Sequence, residues 1–239
     1  MLTNCRAGSR LIAIAGSAAA MTAAIALPAS AATSTQSFTA PYSAAGGVQS
    51  DDCTAGATCS EKATGDANTG AVTASADYSR TTAVDSQETP YAYGYVQQQM
   101  RLPQTGAADI TFTWAVDSAS SSAVATQGLV KAKSYFFATE DSCRSCTVVT
   151  AIQTVTEAIS TNGVPAISSP TATTYALTVH VTGRKGAVIN PYSVGSVYVR
   201  ASGPCDPTCG TTDARTHAGR GSVSLSAHLQ TITVTAVQS

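Results

Sequence analysis

From about residue 71 onward, apolar and polar positions alternate with a period of two. In ITFTWAV, Ile110, Phe112, Trp114 and Val116 fall on one side, and Thr111, Thr113 and Ala115 on the other. YALTVHV sets Tyr175, Leu177, Val179 and Val181 against Thr178 and His180. Successive side chains of a strand point to opposite faces, so each run predicts a strand buried on one side only. LVKAKSYFFAT, CTVVTAIQTVTEAI, GSVYVRAS and SVSLSAHLQTITVTAV continue the series. In the last of these, Val223, Leu225, Ala227 and Leu229 hold odd positions while Ile232, Val234 and Ala236 hold even ones. That phase slip predicts a bulge near Gln230 and Thr231.

Turn signals separate the runs: LPQTGA at 102–107, STNGVP at 160–165, TGRKGA at 182–187 and SGPCDPTCGTTD at 202–213. Asn162-Gly163 predicts a hairpin, because a type I′ turn needs positive φ at both central residues. Outside the first 31 residues no window carries a capped helical stripe. The pattern predicts an all-β fold at 70–239, an antiparallel two-sheet β-sandwich with jelly-roll-like connectivity and disulfide-pinned loops. Residues 32–69 are rich in Ser, Thr, Ala, Gly and Asp and predict a loop-like N-terminal segment, with a short strand around 36–40 that can join the main sheet.

The chain opens with MLTNCRAGSR, then the apolar LIAIAGSAAAMTAAIALP, then ASAA. Basic, apolar and small-residue regions in that order predict a secretory signal over residues 1–31, cleaved after Ala31. The run is too short and too alanine-rich for a permanent span, and no second apolar stretch of membrane length follows. The expectation is therefore a secreted, extracellular protein with no membrane span after cleavage. Loss of Arg6 and Arg10 with the signal leaves 11 basic against 14 acidic residues, a net charge near −3. Such a balance offers no footprint for nucleic acid. The Ala/Ser/Thr-rich composition, only 11% charged, resembles that of exported proteins of high-GC bacteria.

Six cysteines remain once Cys5 leaves with the signal, and they form three close pairs: Cys53/Cys59, Cys143/Cys146 and Cys205/Cys209. An even number in an exported chain predicts disulfides, with local pairing the simplest arrangement. Each small ring contributes roughly 2 kcal/mol on the chain-entropy estimate, against roughly 4 for cross-linking the second and third pairs. In EDSCRSC a redox dithiol would need its first thiol at a helix N-terminus. The flanking YFFAT and TVVTAIQTV instead place the pair at a tip between two strands. A four-thiolate zinc site from the second and third pairs would leave Cys53 and Cys59 unexplained and conflicts with an oxidising compartment.

The candidate binding chemistry is YAYGY at 91–95, where strand geometry puts Tyr91, Tyr93 and Tyr95 on one face with Ala92 and Gly94 on the other. Such a row either forms a flat platform for sugar rings, as in β-sandwich carbohydrate-binding modules, or packs on the core with its hydroxyls at the edge. Three histidines occur, of which His217 lies close to Asp213 in sequence. These two residues are the basis of an alternative reading as an extracellular hydrolase with a loop-assembled site. No G-x-S-x-G elbow, H-E-x-x-H helix or phosphate-binding loop supports catalysis. Oxygen donors in DD (51–52) and DANTG (66–70) leave a structural calcium as the one cofactor to consider, without the EF-hand spacing. LPQTG at 102–106 resembles the cell-wall sorting motif read by sortases, but 133 residues of strand-like sequence follow it, and a strand-connecting turn is expected. The sequence thus predicts a secreted, non-catalytic binding or structural module whose partner is a polysaccharide or the cell envelope.

Overall fold

The computed structural model describes residues 33–50, 52–161, 163–202 and 216–237. The predicted signal peptide, Cys205, Cys209 and Asp213 lie outside these residues. The described chain is all-β and without helices, so no helix in it is long and apolar enough to cross a membrane. Its strands are β1 (Thr33–Phe38), β2 (Ala44–Ser50), β3 (Thr58–Gly65), β4 (Ala71–Asp85), β5 (Tyr91–Gln97), β6 (Met100–Arg101), β7 (Gly106–Gln127) and β8 (Leu129–Thr139). There follow β9 (Thr147–Val149), β10 (Ala151–Thr161), β11 (Ala166–Ser168), β12 (Thr174–Gly183), β13 (Val188–Ile189), β14 (Tyr192–Ser202) and β15 (Thr216–Val237).

All strand pairings are antiparallel. A curled eight-stranded sheet has the order β3-β4-β15-β7-β12-β9, with β1 also on β15 and β11 also on β7. A five-stranded sheet has the order β10-β8-β14-β5-β2, and β6 and β13 form a separate pair. The 22-residue strands β7 and β15 are the spine of the larger sheet. Along β15, β4 serves as partner as far as His228, and β1 takes over from Ile232 to Val237, where Thr33 is the register partner of Val237.

The predicted inner faces of β7 and β12 are buried: Ile110, Phe112 and Trp114, and Tyr175, Leu177, Val179 and Val181. The predicted slip in β15 is present as a register shift between Leu229 and Thr231, which keeps Leu225 and Leu229 before it and Ile232 and Val234 after it in the core. Trp114 of the large sheet stacks on Phe136 of the small one at 5.0 Å between ring centroids. Its Nε1 donates to Ser193 Oγ at 2.9 Å, and that hydroxyl in turn donates to the Phe137 carbonyl at 2.9 Å, so the buried indole N–H is satisfied.

Two expectations are corrected. β1 is the short strand expected near 36–40 and it joins the large sheet, but residues 44–65 supply two further strands where composition predicts a loop: β3 joins the large sheet and β2 edges the small one. Glycine makes this placement fit. A Cβ on Gly47 would lie 2.2 Å from the Ala63 carbonyl oxygen, and one on Gly94 2.3 Å from that of Thr64. Here β3 lies directly on β2 and β5, backbone against backbone, with no side-chain layer between. The second correction concerns the Asn162-Gly163 turn. β10 pairs with β8 in the small sheet whereas β11 pairs with β7 in the large one, so the connection passes between sheets and is not a hairpin. Gly163 has the positive φ the turn requires, 82°, and its N–H donates to the Ala125 carbonyl at 2.5 Å, tying the crossing to β7.

The Cys53–Cys59 and Cys143–Cys146 disulfides are both formed. The second clips the tip between β8 and β9, as expected. Glu140 Oε1 accepts from the N–H and hydroxyl of Ser142 and the N–H of Cys143, which folds the tip back on itself. Gly183 of β12 leaves room for the disulfide, since a Cβ there would sit 2.8 Å from Cys146 Sγ.

Candidate functional site

Among the described residues, the outer surface of the five-stranded sheet gathers the exposed Tyr91 and six half-buried aromatic side chains, Tyr93, Tyr95, Tyr135, Phe137, Tyr192 and Tyr198. Along β5, Ala92, Gly94 and Val96 are buried while Tyr91, Tyr93 and Tyr95 point away from the core. Because β3 backbone presses against Gly94, no side chain fits at that position, and the face with Ala92, Gly94 and Val96 turns inward while the tyrosines take the other. The row thus faces away from the core, with Tyr91 exposed and Tyr93 and Tyr95 half-buried.

Antiparallel register brings further aromatic residues beside the row. Ser196 of β14 lies opposite Tyr93 on one side and Tyr135 of β8 on the other, and Val194 likewise lies between Tyr95 and Phe137. Val194 and Ser196 are buried and short, so β14 forms the floor of a groove walled by β5 and β8. Two strand spacings put those walls roughly 9.5 Å apart, backbone to backbone. The groove holds two successive hollows. One, of about 370 Å³, is lined by Tyr91, Tyr93, Tyr135, Phe137, Ile152 and Tyr192 above that floor. The other, of about 250 Å³, adds Gln87, Thr89, Tyr198 and Arg200 to the shared Tyr91 and Tyr135.

The rings are preset. Tyr91 and Tyr93 lie nearly parallel, 6° apart with centroids at 6.3 Å, and Tyr198 meets Tyr135 edge-on at 6.1 Å. Lys133 Nζ sits 5.9 Å from the Tyr135 centroid, within cation–π range. Tyr91 remains 37% exposed and Ile152 65%, so apolar surface is open to solvent here. Burial pushes the Tyr198 hydroxyl above its ordinary value, and burial, followed by the charge of Asp141, does the same at Tyr192. Both phenols therefore stay protonated, able to donate as well as accept. Tyr95 stands apart from its two companions: its ring lies across Gly46 of β2, where a Cβ would meet it at 2.9 Å, and it lines neither hollow.

The histidines fall elsewhere. His217 begins β15 rather than lying in a loop, is fully buried, and places Nε2 3.1 Å from Glu88 Oε2. Glu88 also takes Arg80 Nη2 at 2.8 Å and Nε at 3.1 Å, and Thr54 Oγ1 at 2.5 Å. Arg80 Nη2 further donates to the Thr54 and Ala55 carbonyls, which anchors the Cys53–Cys59 loop. Burial acts to raise the Glu88 carboxyl, but hydrogen bonds from Arg80, Thr54 and His217 outweigh it and hold the group below the ordinary glutamate value. His180 and His228 pair with Asp109 and Asp117 at 2.6 and 2.9 Å on the outside of the large sheet.

In the DANTG turn, the Asp66 carboxylate accepts from Asn68 N–H and Thr69 Oγ1, both at 2.9 Å, so its oxygens close their own turn. Among the described residues no cluster of three or more His, Cys, Asp or Glu is arranged to hold a metal.

Tyr135, Phe137, Tyr192, Tyr198 and Arg200 are site residues that sequence reasoning missed. The available signal was the period of two in β8 and β14, which puts Tyr135 and Phe137, and Tyr192, Tyr198 and Arg200, on the faces opposite the buried Phe136 and the buried Val197 and Val199. No protein-family model matches the chain, and no curated protein matches it at a significant level.

Proposed function

We propose that this is a secreted, non-catalytic extracellular module that binds a polysaccharide, free or in a cell envelope, in the aromatic groove. The observation that carries this reading is the outward tyrosine row of β5, with Tyr91 and Tyr93 set parallel beside Tyr135 and Phe137 over a floor of small residues. Flat rings with polar tips suit sugars, which present apolar C–H faces and a rim of hydroxyls. The architecture assigned to it is a two-sheet sandwich of jelly-roll-like order, supported by the Trp114–Phe136 stack between sheets and by the chain's repeated passage from one sheet to the other.

Export is supported by the leader-like first 31 residues and by two disulfides, bonds that persist in oxidising compartments. The non-catalytic assignment is supported by the burial of His217, the histidine of the hydrolase alternative, which is 0% exposed and bonded to the equally buried Glu88, out of reach of a substrate. The test is a glycan-binding screen followed by calorimetry on native protein, Tyr93→Ala and Tyr95→Ala. Native protein and Tyr95→Ala are expected to bind the same glycan, and Tyr93→Ala to lose about tenfold or more in affinity at unchanged fold. Equal binding by native protein and Tyr93→Ala, or no binding by native protein to any glycan, would sink the reading.

A further inference from the structure

We infer that the groove selects an acidic polysaccharide, seating a sugar carboxylate in the second hollow beside Arg200. The inference rests on the polysaccharide reading of the groove and adds the chemical class of the ligand.

The two hollows differ in chemistry. The first is walled by rings and has an apolar and hydroxyl floor of Val194 and Ser196, suited to stacking a sugar ring without regard to charge. The second opens onto Gln87, Thr89 and Arg200. Arg200 Nη2 donates to Gln87 Oε1 at 2.8 Å, which steadies an exposed guanidinium at the end of the groove. A planar guanidinium fork is the side chain best matched to a carboxylate, through two parallel N–H···O bonds.

Cross-strand register adds to this charge. Lys131 is the partner of Arg200 and Lys133 that of Tyr198, so three cations stand side by side on β8 and β14. Facing them from β10 is the single carboxylate of Glu157, which bonds Lys131 and lies 3.7 Å from Lys133. At the opposite end burial, and after it the exposed Asp141 and the buried Glu140, raise the Tyr192 hydroxyl, and Glu140 Oε1 is already taken up by Ser142 and Cys143. From Tyr192 to Arg200 the floor strand runs roughly 26 Å at the rise of a β-strand, long enough for several sugar rings. A sugar carboxylate is therefore better placed at the Arg200 end of this length than at the Tyr192 end.

The test measures affinity for polygalacturonate, alginate and hyaluronan against fully methyl-esterified polygalacturonate and a neutral β-glucan, at low and high salt. Native protein is expected to bind at least one acidic polymer about tenfold or more tighter than its neutral counterpart, with the difference shrinking as salt rises. Arg200→Gln is expected to remove that preference, bringing the acidic polymer down to the affinity of its neutral counterpart, and Tyr93→Ala to weaken both. Equal affinity of native protein for acidic and neutral polymers, binding of neutral polymers alone, or a preference that survives Arg200→Gln overturns the inference and leaves the polysaccharide reading standing. Absence of binding to every glycan overturns both.

Discussion

Arg80 and Glu88 form a two-point ion pair at 2.8 and 3.1 Å, with side chains 5% and 0% exposed. Through it the Cys53–Cys59 loop, β4, the approach to β5 and the start of β15 are joined by one set of hydrogen bonds. Breaking one side of a buried pair leaves an uncompensated charge. Glu88→Gln is expected to cost about 3 kcal/mol or more, lowering Tm by about 6 °C or more in a domain of this size. Glu157→Ala, which disrupts a half-exposed pair with Lys131, should cost less than about 1 kcal/mol. Urea unfolding of both variants checks the contrast, and comparable losses would contradict it.

The same carboxyl sets a pH dependence. Glu88 is held below its unfolded value, so as acid is added the unfolded chain takes up its proton first and stability drains toward the unfolded state. The contribution is whole above the ordinary glutamate range and is lost as pH falls below about 4.3 toward the folded value. Urea midpoints measured between about pH 5 and 2.5 should fall steeply for native protein and less steeply for Glu88→Gln. Parallel profiles would assign acid lability to other carboxyls. Glu157 and Asp66, also held low, are more exposed and should add little.

Gly47→Ala tests the seam between the sheets. Its new methyl would be driven to 2.2 Å from a backbone oxygen that cannot turn aside, and a loss of about 3 kcal/mol or failure to fold is expected. Gly163→Ala meets nothing within 4 Å and suffers only from its φ of 82°, so about 1 kcal/mol is expected. Thermal melts rank the two, and the reverse order would contradict the seam.

The Cys143–Cys146 clip should behave as a local staple. Replacing both residues with serine is expected to cost about 2 kcal/mol, the value for a very short loop, and to leave glycan binding intact. Mass mapping of unreduced peptides checks that Cys53, Cys59, Cys143 and Cys146 carry no free thiol. A loss of binding in the serine variant would assign the clip a part in the groove.

Where one face of a strand carries large apolar groups, the sequence is a good guide. Ile110, Phe112 and Trp114 in β7, the residues of β12, and the bulge at Leu229 and Thr231 are read correctly for that reason. The second half of β7 is silent, since its inward Ser121, Ala123 and Ala125 are no larger than their outward neighbours. β2 is hidden by the same smallness, and β3 by the glutamate that stands among Cys59, Ala63 and Gly65 on its less exposed face. In β5 the alternation is legible but its direction is not, because the larger side normally goes inward and here the backbone of β3 occupies that space. The groove needs β8 and β14 to lie beside β5, a relation set by register between distant segments. Glu88 had no local signal at all, since its partners come from residues 54, 80 and 217.

The pairing of β1 with the last stretch of β15 has a mechanical meaning. Thr33 and Val237 are direct neighbours, so the first and last described strands have these two residues side by side. Tension applied at those two points would open the β1–β15 ladder one rung at a time, as a zip, instead of shearing all its bonds together. The rest of the sheet, including the side that carries the groove, would hang from that junction like a pendant and feel little of the load until β1 had peeled away.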